Sequence, residues 1–222
     1  MASASEPGSN ASGQVAPPEA WSHNLHYHGV ILDAVPAGCE RAVDVGCGQG
    51  ALTRRLRRVV PHVIGIDRDR RSVEIARANP AAGSIEYILG DFLATPLRPG
   101  SLDLITSISS LHHMDAEAAL RRMADLLRPG GVLAVIGLAR GTSPADVGWL
   151  VPATIGAQVH KAASAARRRR AGGQGQGYRS PIVWPPPLSY AATRRLAAQV
   201  LPGARYRHRL YWRYSLVWTK PS

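Results

Sequence analysis

Strand-like and helix-like segments alternate from residue 41 to residue 138, and the first strand runs straight into Gly46, Gly48 and Gly50. Residues 42–45, 62–66, 85–89, 102–108 and 131–138 read as short strands. Between them, residues 51–60 carry Leu52, Leu56 and Val59 at helical spacing, and residues 70–78 read as a helix stopped by Asn79-Pro80. Residues 115–127 form a third helix, with Asp115 as N-cap and Pro129-Gly130 beyond its end. Strands that are apolar throughout are buried on both faces, and parallel strands need crossovers of helix length. The pattern predicts an α/β fold, a parallel sheet with helices on both faces.

The flanks are less regular. Residues 1–20 are rich in Ser, Gly, Pro and Ala, lack the basic flank and apolar core of a secretory signal, and read as a disordered tail. Residues 21–35 read as a short helix with His23, His26 and His28 beside Leu25, Val30 and Ile31, ended by Pro36-Ala37-Gly38. Its His26, Tyr27 and His28 read as the exposed side of a packing helix or as part of a lid. Residues 141–188 form an insertion with a helix over 151–170, a Gly/Gln stretch, and Trp184-Pro185-Pro186-Pro187. Residues 189–200 resume a helix, and residues 204–219 read as a hairpin turning near Tyr211-Trp212. Within it Tyr206, Leu210, Trp212, Tyr214, Leu216 and Trp218 share one strand parity and are expected to pack the core. The chain has 222 residues, 45% of them hydrophobic. That is enough for a single domain over 21–222, with 21–38 as a lid and 141–188 shaping the substrate side.

No apolar run reaches the ~18–20 residues that span a bilayer. The two cysteines, Cys39 and Cys47, sit close together with Cys47 inside the glycine loop. Reduced thiols in a cytoplasmic protein are expected, with no metal site. The net charge of +12 invites a nucleic-acid reading. Only Lys161 and Lys220 are lysines, however, and the arginines are spread along the chain. The one dense run, Arg167-Arg168-Arg169-Arg170, leads into glycine-rich residues and reads as a solvated loop. A small-molecule acceptor is therefore favoured over nucleic acid.

The residues 44–50 read Asp-Val-Gly-Cys-Gly-Gln-Gly, between the first strand and the first crossover helix. Glycines let backbone approach a ligand closely, and a helix start offers unpaired N–H groups and a positive dipole end. Gly46, Gly48 and Ala51 also fit the dinucleotide pattern G-x-G-x-x-G/A. Asp44 before the first glycine, and Gly50 as a third alternate glycine, turn the reading toward S-adenosylmethionine (SAM). Asp67 closes the second strand, where a carboxylate takes both ribose hydroxyls, a feature that nicotinamide enzymes share. Asp91, after the third strand, does discriminate: it can accept from an adenine amine while Phe92 packs against the ring.

These residues, together with Gly65-Ile66-Asp67, Gly90-Asp91-Phe92, Leu111-His112-His113 and Leu127-Arg128-Pro129-Gly130-Gly131, resemble the class I SAM-dependent methyltransferase family. The resemblance covers roughly residues 40–140 and is nearest in flavour to the small-molecule branch that includes quinone-biosynthesis enzymes. It implies a Rossmann-like α/β fold with a seven-stranded sheet in the order 3-2-1-4-5-7-6, the last strand antiparallel. It further implies that Gly46, Cys47, Gly48 and Gly50 hold the methionine end of SAM, and that Asp44 orients its amino group directly or through water. Asp67 would bind the ribose, Arg68 would flank the adenine, and Asp91 and Phe92 would bind it. Ser107 and Ile108 would face the methionine portion.

Methyl transfer is an in-line displacement, so alignment of the acceptor is the protein's main task. Orientation supplies up to ~7–11 kcal/mol of barrier reduction, and a general base a further ~10²–10⁴-fold. His112 and His113 follow the fourth strand; His112 is the candidate catalytic base, and His113 reads as a loop brace. The leading expectation is transfer to O, N or C of a metabolite. The alternatives are an RNA or other macromolecular methyltransferase, a SAM-binding protein without catalysis, and a nicotinamide dehydrogenase. Ser107-Ile108-Ser109-Ser110 stands where amino-methylating enzymes carry Asn/Asp-Pro-Pro-Tyr/Phe. That argues against adenine-N6 and protein-glutamine chemistry.

Overall fold

Seven strands form one sheet in the order β3-β2-β1-β4-β5-β7-β6. They are β1 (Arg41–Val45), β2 (His62–Asp67), β3 (Glu86–Leu89), β4 (Leu102–Ile108), β5 (Leu127–Leu138), β6 (Arg205–Arg209) and β7 (Arg213–Thr219). The first five pair in parallel, whereas β5–β7 and β7–β6 are antiparallel. The computed structural model describes residues 23–142, 183–210 and 212–222. The tail at 1–20, the helix expected at 151–170, the arginine run, the Gly/Gln stretch and Tyr211 lie outside the described residues.

Every residue of β4 is buried, as a central strand covered on both faces must be. Alternate side chains feed two cores. Val43, Val45 and Ile105 join Leu120, Met123 and Leu126 of α5 (Ala116–Leu126) and Ala197 of α6 (Tyr190–Val200) on one side. Ala42, Leu104 and Ile108 join Leu52 and Leu56 of α3 (Ala51–Leu56), with Tyr27 and Ile31, on the other. Asp69, Asp115 and Ser189 each accept a backbone N–H at the start of α4 (Arg70–Ala78), α5 and α6.

Four local expectations change. The N-terminal helix is split into α1 (His23–His26) and α2 (His28–Leu32) at Tyr27. Tyr27 is pinned by a tertiary bond, its hydroxyl donating to the Leu210 carbonyl at 2.8 Å. Tyr27 and His28 are buried, so only His26 of the trio stays exposed. The helix expected over 51–60 ends at Leu56, with Arg57 as its C-cap, and β2 starts at His62. Strand β5 begins at Leu127 rather than at residue 131, since Leu127 pairs with Leu102 across an irregularity in the ladder. In the hairpin, Tyr206, Tyr214, Leu216 and Trp218 pack on the α5/α6 side, whereas Leu210 and Trp212 pack on the α3 side. The turn breaks the shared parity, with Trp212 at φ 57°.

Two close contacts hold the outer half of the sheet. Gly137 faces the Tyr214 ring, which lies 2.2 Å from where a Cβ would stand. Lys220 Nζ donates to the carbonyls of Ala124 and Leu127 at 2.8 Å each, closing the C-terminal end of α5. A cation there satisfies orphaned carbonyls and opposes the helix dipole. Lys220→Met is expected to lower stability by about 1–3 kcal/mol; chemical denaturation checks this, and an unchanged midpoint would refute it.

Candidate functional site

Five residues join β1 to α3, and Gly46, Gly48 and Gly50 all take left-handed φ values of 72°, 53° and 79°. The N–H groups of Gly46 and Cys47 both donate to the Ile66 carbonyl of β2, at 2.8 and 3.1 Å. At Gly46 a Cβ would lie 2.2 Å from the Ser110 Cβ, so the turn sits directly on the segment after β4. At Gly48 a Cβ would meet nothing within 4 Å. The loop is packed at one end and open at its centre.

Three carboxylates stand at or just beyond the carboxyl ends of β1, β2 and β3, each in a different environment. Asp44 is buried, accepting from Thr53 Oγ1 at 2.8 Å and Thr106 Oγ1 at 3.0 Å. Burial pushes its pKa up to about 6, against the pull of the two threonine hydroxyls. Asp67 is half-buried; its Oδ2 accepts from Gly48 N and its Oδ1 from Asp69 N, both at 2.8 Å. The ribose-side candidate therefore also fixes the open part of the glycine turn. Asp91 is exposed, with Oδ1 accepting from Leu93 N at 2.8 Å.

Other side chains sit differently from expectation. The Phe92 ring is buried in the core, with the Arg122 guanidinium 5.5 Å from its centroid, so it is not free to pack against an adenine. Its apolar character explains why it turns inward, into the cluster that also holds Ile66 and Val45. Ser107 is also buried, and its hydroxyl meets that of Ser110 at 2.6 Å. Ser110 in turn donates to the Val45 carbonyl at 2.7 Å. Ser107 thus braces the support of the glycine turn instead of facing open space. Ile108 packs in the core on the α3 side. The Cys47 thiol is buried, and burial raises its pKa, so it stays protonated.

The turn Leu111–His113 carries both histidines, with ring centroids 4.1 Å apart. Burial, then the charges of His113 and Arg213, push the His112 pKa down to about 4. His112 is therefore neutral at physiological pH. His113 is lowered by burial and by Arg68, with Asp67 acting the other way. Among the described residues, no group of three or more His, Cys, Asp or Glu side chains is placed to hold a metal ion. No helix among them is long and apolar enough to cross a membrane.

A family model described as "Methyltransferase domain" matches residues 43–135. An uncharacterized methyltransferase of Mycobacterium tuberculosis is 32% identical over 204 residues, covering 90% of this chain and 98% of that protein. The chain belongs to the class I SAM-dependent methyltransferase family. A ubiquinone biosynthesis O-methyltransferase from Ralstonia nicotianae is 34% identical over 106 residues, 46% of this chain and 44% of its own length. The N-methyltransferase NodS from Bradyrhizobium japonicum superposes with a TM-score of 0.59 at 15% identity, over 89% of this chain and 96% of its own. At that identity the likeness shows the fold alone.

This methyltransferase has a polar cluster at the same rim that sequence reasoning missed. Ser109, immediately after β4, is held at φ 55°, a strained value for a residue with a side chain. Its hydroxyl donates to Asn24 Oδ1 at 2.9 Å, and Arg213 donates to the same oxygen at 2.8 Å and to Ser109 Oγ at 3.2 Å. The Arg213 guanidinium also lies 5.9 Å from the Tyr27 ring centroid. Three segments meet here that are far apart in sequence, so no local spacing announces them. For Ser110 a signal did exist: a small hydroxyl residue one step beyond Ser109, where a strand end must meet a glycine turn.

Proposed function

We propose that this chain binds SAM across the carboxyl ends of β1, β2 and β3 and transfers its methyl group to O, N or C of a small-molecule metabolite. The carrying observation is the glycine turn, open at Gly48, with Asp67 already fixed against it. Bound there, SAM supplies a methyl group on a positively charged sulfur, a leaving group that needs no further activation.

The chain's own residues do the rest. The turn of Gly46, Cys47, Gly48 and Gly50 holds the methionine end by close approach of its backbone, its own N–H groups being bonded to Ile66, Asp67 and Cys47. Asp44 sits beneath this turn, and its negative charge favours the amino group of the same moiety. Asp67 takes the ribose hydroxyls, Arg68 flanks the adenine, and Asp91 accepts from the adenine amine. Phe92 contributes through its backbone, since its ring belongs to the core. Ser107 and Ile108 act from behind, through Ser110 and the sheet face. The acceptor side is formed by the N-terminal lid and the insertion at 141–188, with His112 on the rim between. A cytoplasmic location fits the two free, buried thiols Cys39 and Cys47. A small acceptor fits the names of the ubiquinone-pathway relative and of an O-methyltransferase from Penicillium expansum, 36% identical over 109 residues.

Calorimetric titration with SAM, S-adenosylhomocysteine and NADPH, each alone, tests this. Micromolar binding of the first two and none of the third is expected; NADPH binding alone would overturn it. Asp67→Ala and Asp91→Ala should each weaken SAM binding, by roughly tenfold for the loss of a hydrogen bond to a charged group. The Asp67 variant should be the weaker binder, because it also releases Gly48. Equal, unchanged affinities in both would place the cofactor elsewhere.

A further inference from the structure

Cations are spread along this chain, but acids are not: Asp146 is the last, and residues 147–222 hold none. Within the described part of that segment, cations border the free edge of the sheet. Strand β6 is that edge, and by strand alternation Arg205, Arg207 and Arg209 share its α3-side face, opposite Val217, Ser215 and Arg213 of β7. Arg205 and Arg207 are exposed, whereas Arg209 donates to Ser215 Oγ at 3.0 Å. Tyr206 and His208 face the other way, where Tyr190 of α6 stacks on His208 at 4.3 Å. On that side α6 exposes Arg194 and Arg195. Arg209 pairs with Arg213, which pairs with Leu138 at the end of β5, so the arginine row runs up to the ligand-side rim. Among the described residues, the exposed large apolar side chains are Val59, Val183 and Trp184, the last at 58% exposure. Two of the three are therefore neighbours at this rim. Trp184 meets Trp212 edge-on at 6.1 Å, and the exposed Arg140 ties the same segment down by donating its N–H to the Leu188 carbonyl at 2.9 Å.

We propose that this edge and rim dock on an anionic lipid surface, with Arg205 and Arg207 meeting phosphate headgroups while Trp184 and Val183 enter the headgroup layer. Attraction of cations to anionic lipid and burial of apolar side chains at the interface reinforce each other, and here the two kinds of group adjoin. A tryptophan ring is satisfied at that depth, since it offers an apolar body and a polar N–H. Arginine suits phosphate because its planar fork binds two oxygens at once. A polynucleotide is held by cations that line a groove. These cations instead stand on opposite faces of one edge, and Val183 would have no role in such a complex. A second copy of the chain would bring like charges together. Docked in this way, the chain turns the carboxyl ends of its parallel strands, where the glycine turn stands, toward the lipid. The contact itself does not depend on the cofactor reading.

The test mixes the full chain with vesicles of phosphatidylcholine, either pure or carrying a third of phosphatidylglycerol, and measures bound protein by flotation. Binding to the anionic vesicles alone is expected, weakening as salt rises, with tryptophan emission shifted to the blue. Arg205→Gln and Arg207→Gln should each lower the affinity for anionic vesicles about fivefold. Trp184→Ser should weaken it by a similar factor, about fivefold, and remove the emission shift. Arg121→Gln, at an exposed ion pair with Glu117 on α5, should change it by less than about twofold. All four side chains are exposed, and unchanged thermal melts confirm that the variants fold. Equal binding to both kinds of vesicle, no binding to the anionic ones, or an affinity that neither arginine variant moves would each overturn the proposal. So would tighter binding of single-stranded RNA or of polyglutamate, which would assign the surface to a nucleic acid or to an acidic protein.

Discussion

Gly46→Ala is expected to unseat the glycine turn and with it cofactor binding. At φ 72° an added Cβ is strained in itself, and it would stand 2.2 Å from the Ser110 Cβ. Ser110 has no easy retreat, because its hydroxyl is bonded to both Val45 and Ser107. The left-handed backbone costs about 1–2 kcal/mol and the overlap about 1–3 kcal/mol more. Together these should lower Tm by roughly 5–15 °C. Gly48→Ala is the informative partner, with a similar φ but nothing within 4 Å of its Cβ. It should keep most of the stability and still lose SAM affinity, since its methyl group points into the space assigned to the ligand. Thermal melts and calorimetry on both variants check this. An unchanged Tm for the first, or unchanged affinity for the second, would refute the packing or the placement in turn.

Asp44→Asn is expected to raise stability and lower SAM affinity at the same pH. Burial lifts the folded-state pKa of Asp44 to about 6, above the ~3.9 of an unfolded aspartate. The folded chain therefore holds its proton longer than the unfolded one. The stability from this group is complete below about pH 4 and is lost as pH rises through about 6. The loss amounts to at most about 3 kcal/mol. Asparagine cannot ionise, so at pH 8 the variant should be about 1–2 kcal/mol more stable, after allowing for one poorer threonine contact. At pH 4 that advantage should vanish. SAM affinity should fall at least about tenfold at pH 8, because the buried charge facing the ligand's amino group is gone. The unmodified chain should also bind SAM more weakly below pH 6, where the variant should show a flat profile. A variant less stable at every pH would mean that the charge of Asp44 is not the burden its burial implies.

Much of this molecule is written locally. The parallel half of the sheet follows from strand-length segments separated by helical spacing, and β4 is buried on both faces although Asp103, Thr106 and Ser107 interrupt its apolar positions, because each of the three is hydrogen-bonded. The helix starts are equally local: Asp115 caps α5 through an atom three residues away, a contact any chain with that spacing makes. The glycine turn and the carboxylates at strand ends were legible for the same reason, since each depends on one residue type at one position relative to a strand.

What the sequence left open depends on contacts between distant segments. Phe92 faces the core because residues of several other elements form the apolar cluster that it joins. Ser107 looked like a lining residue and became a brace, because Ser110 turned back under the glycines. Asn24, Ser109 and Arg213 meet only because β7 runs antiparallel to β5 and brings its first residue to the ligand-side rim. His112 Nδ1 is buried with no hydrogen-bond partner, a state that its local sequence does not announce. Local propensity fixes which elements form and where ligands can approach. Desolvation and close packing between remote elements decide which side chains remain free to meet them.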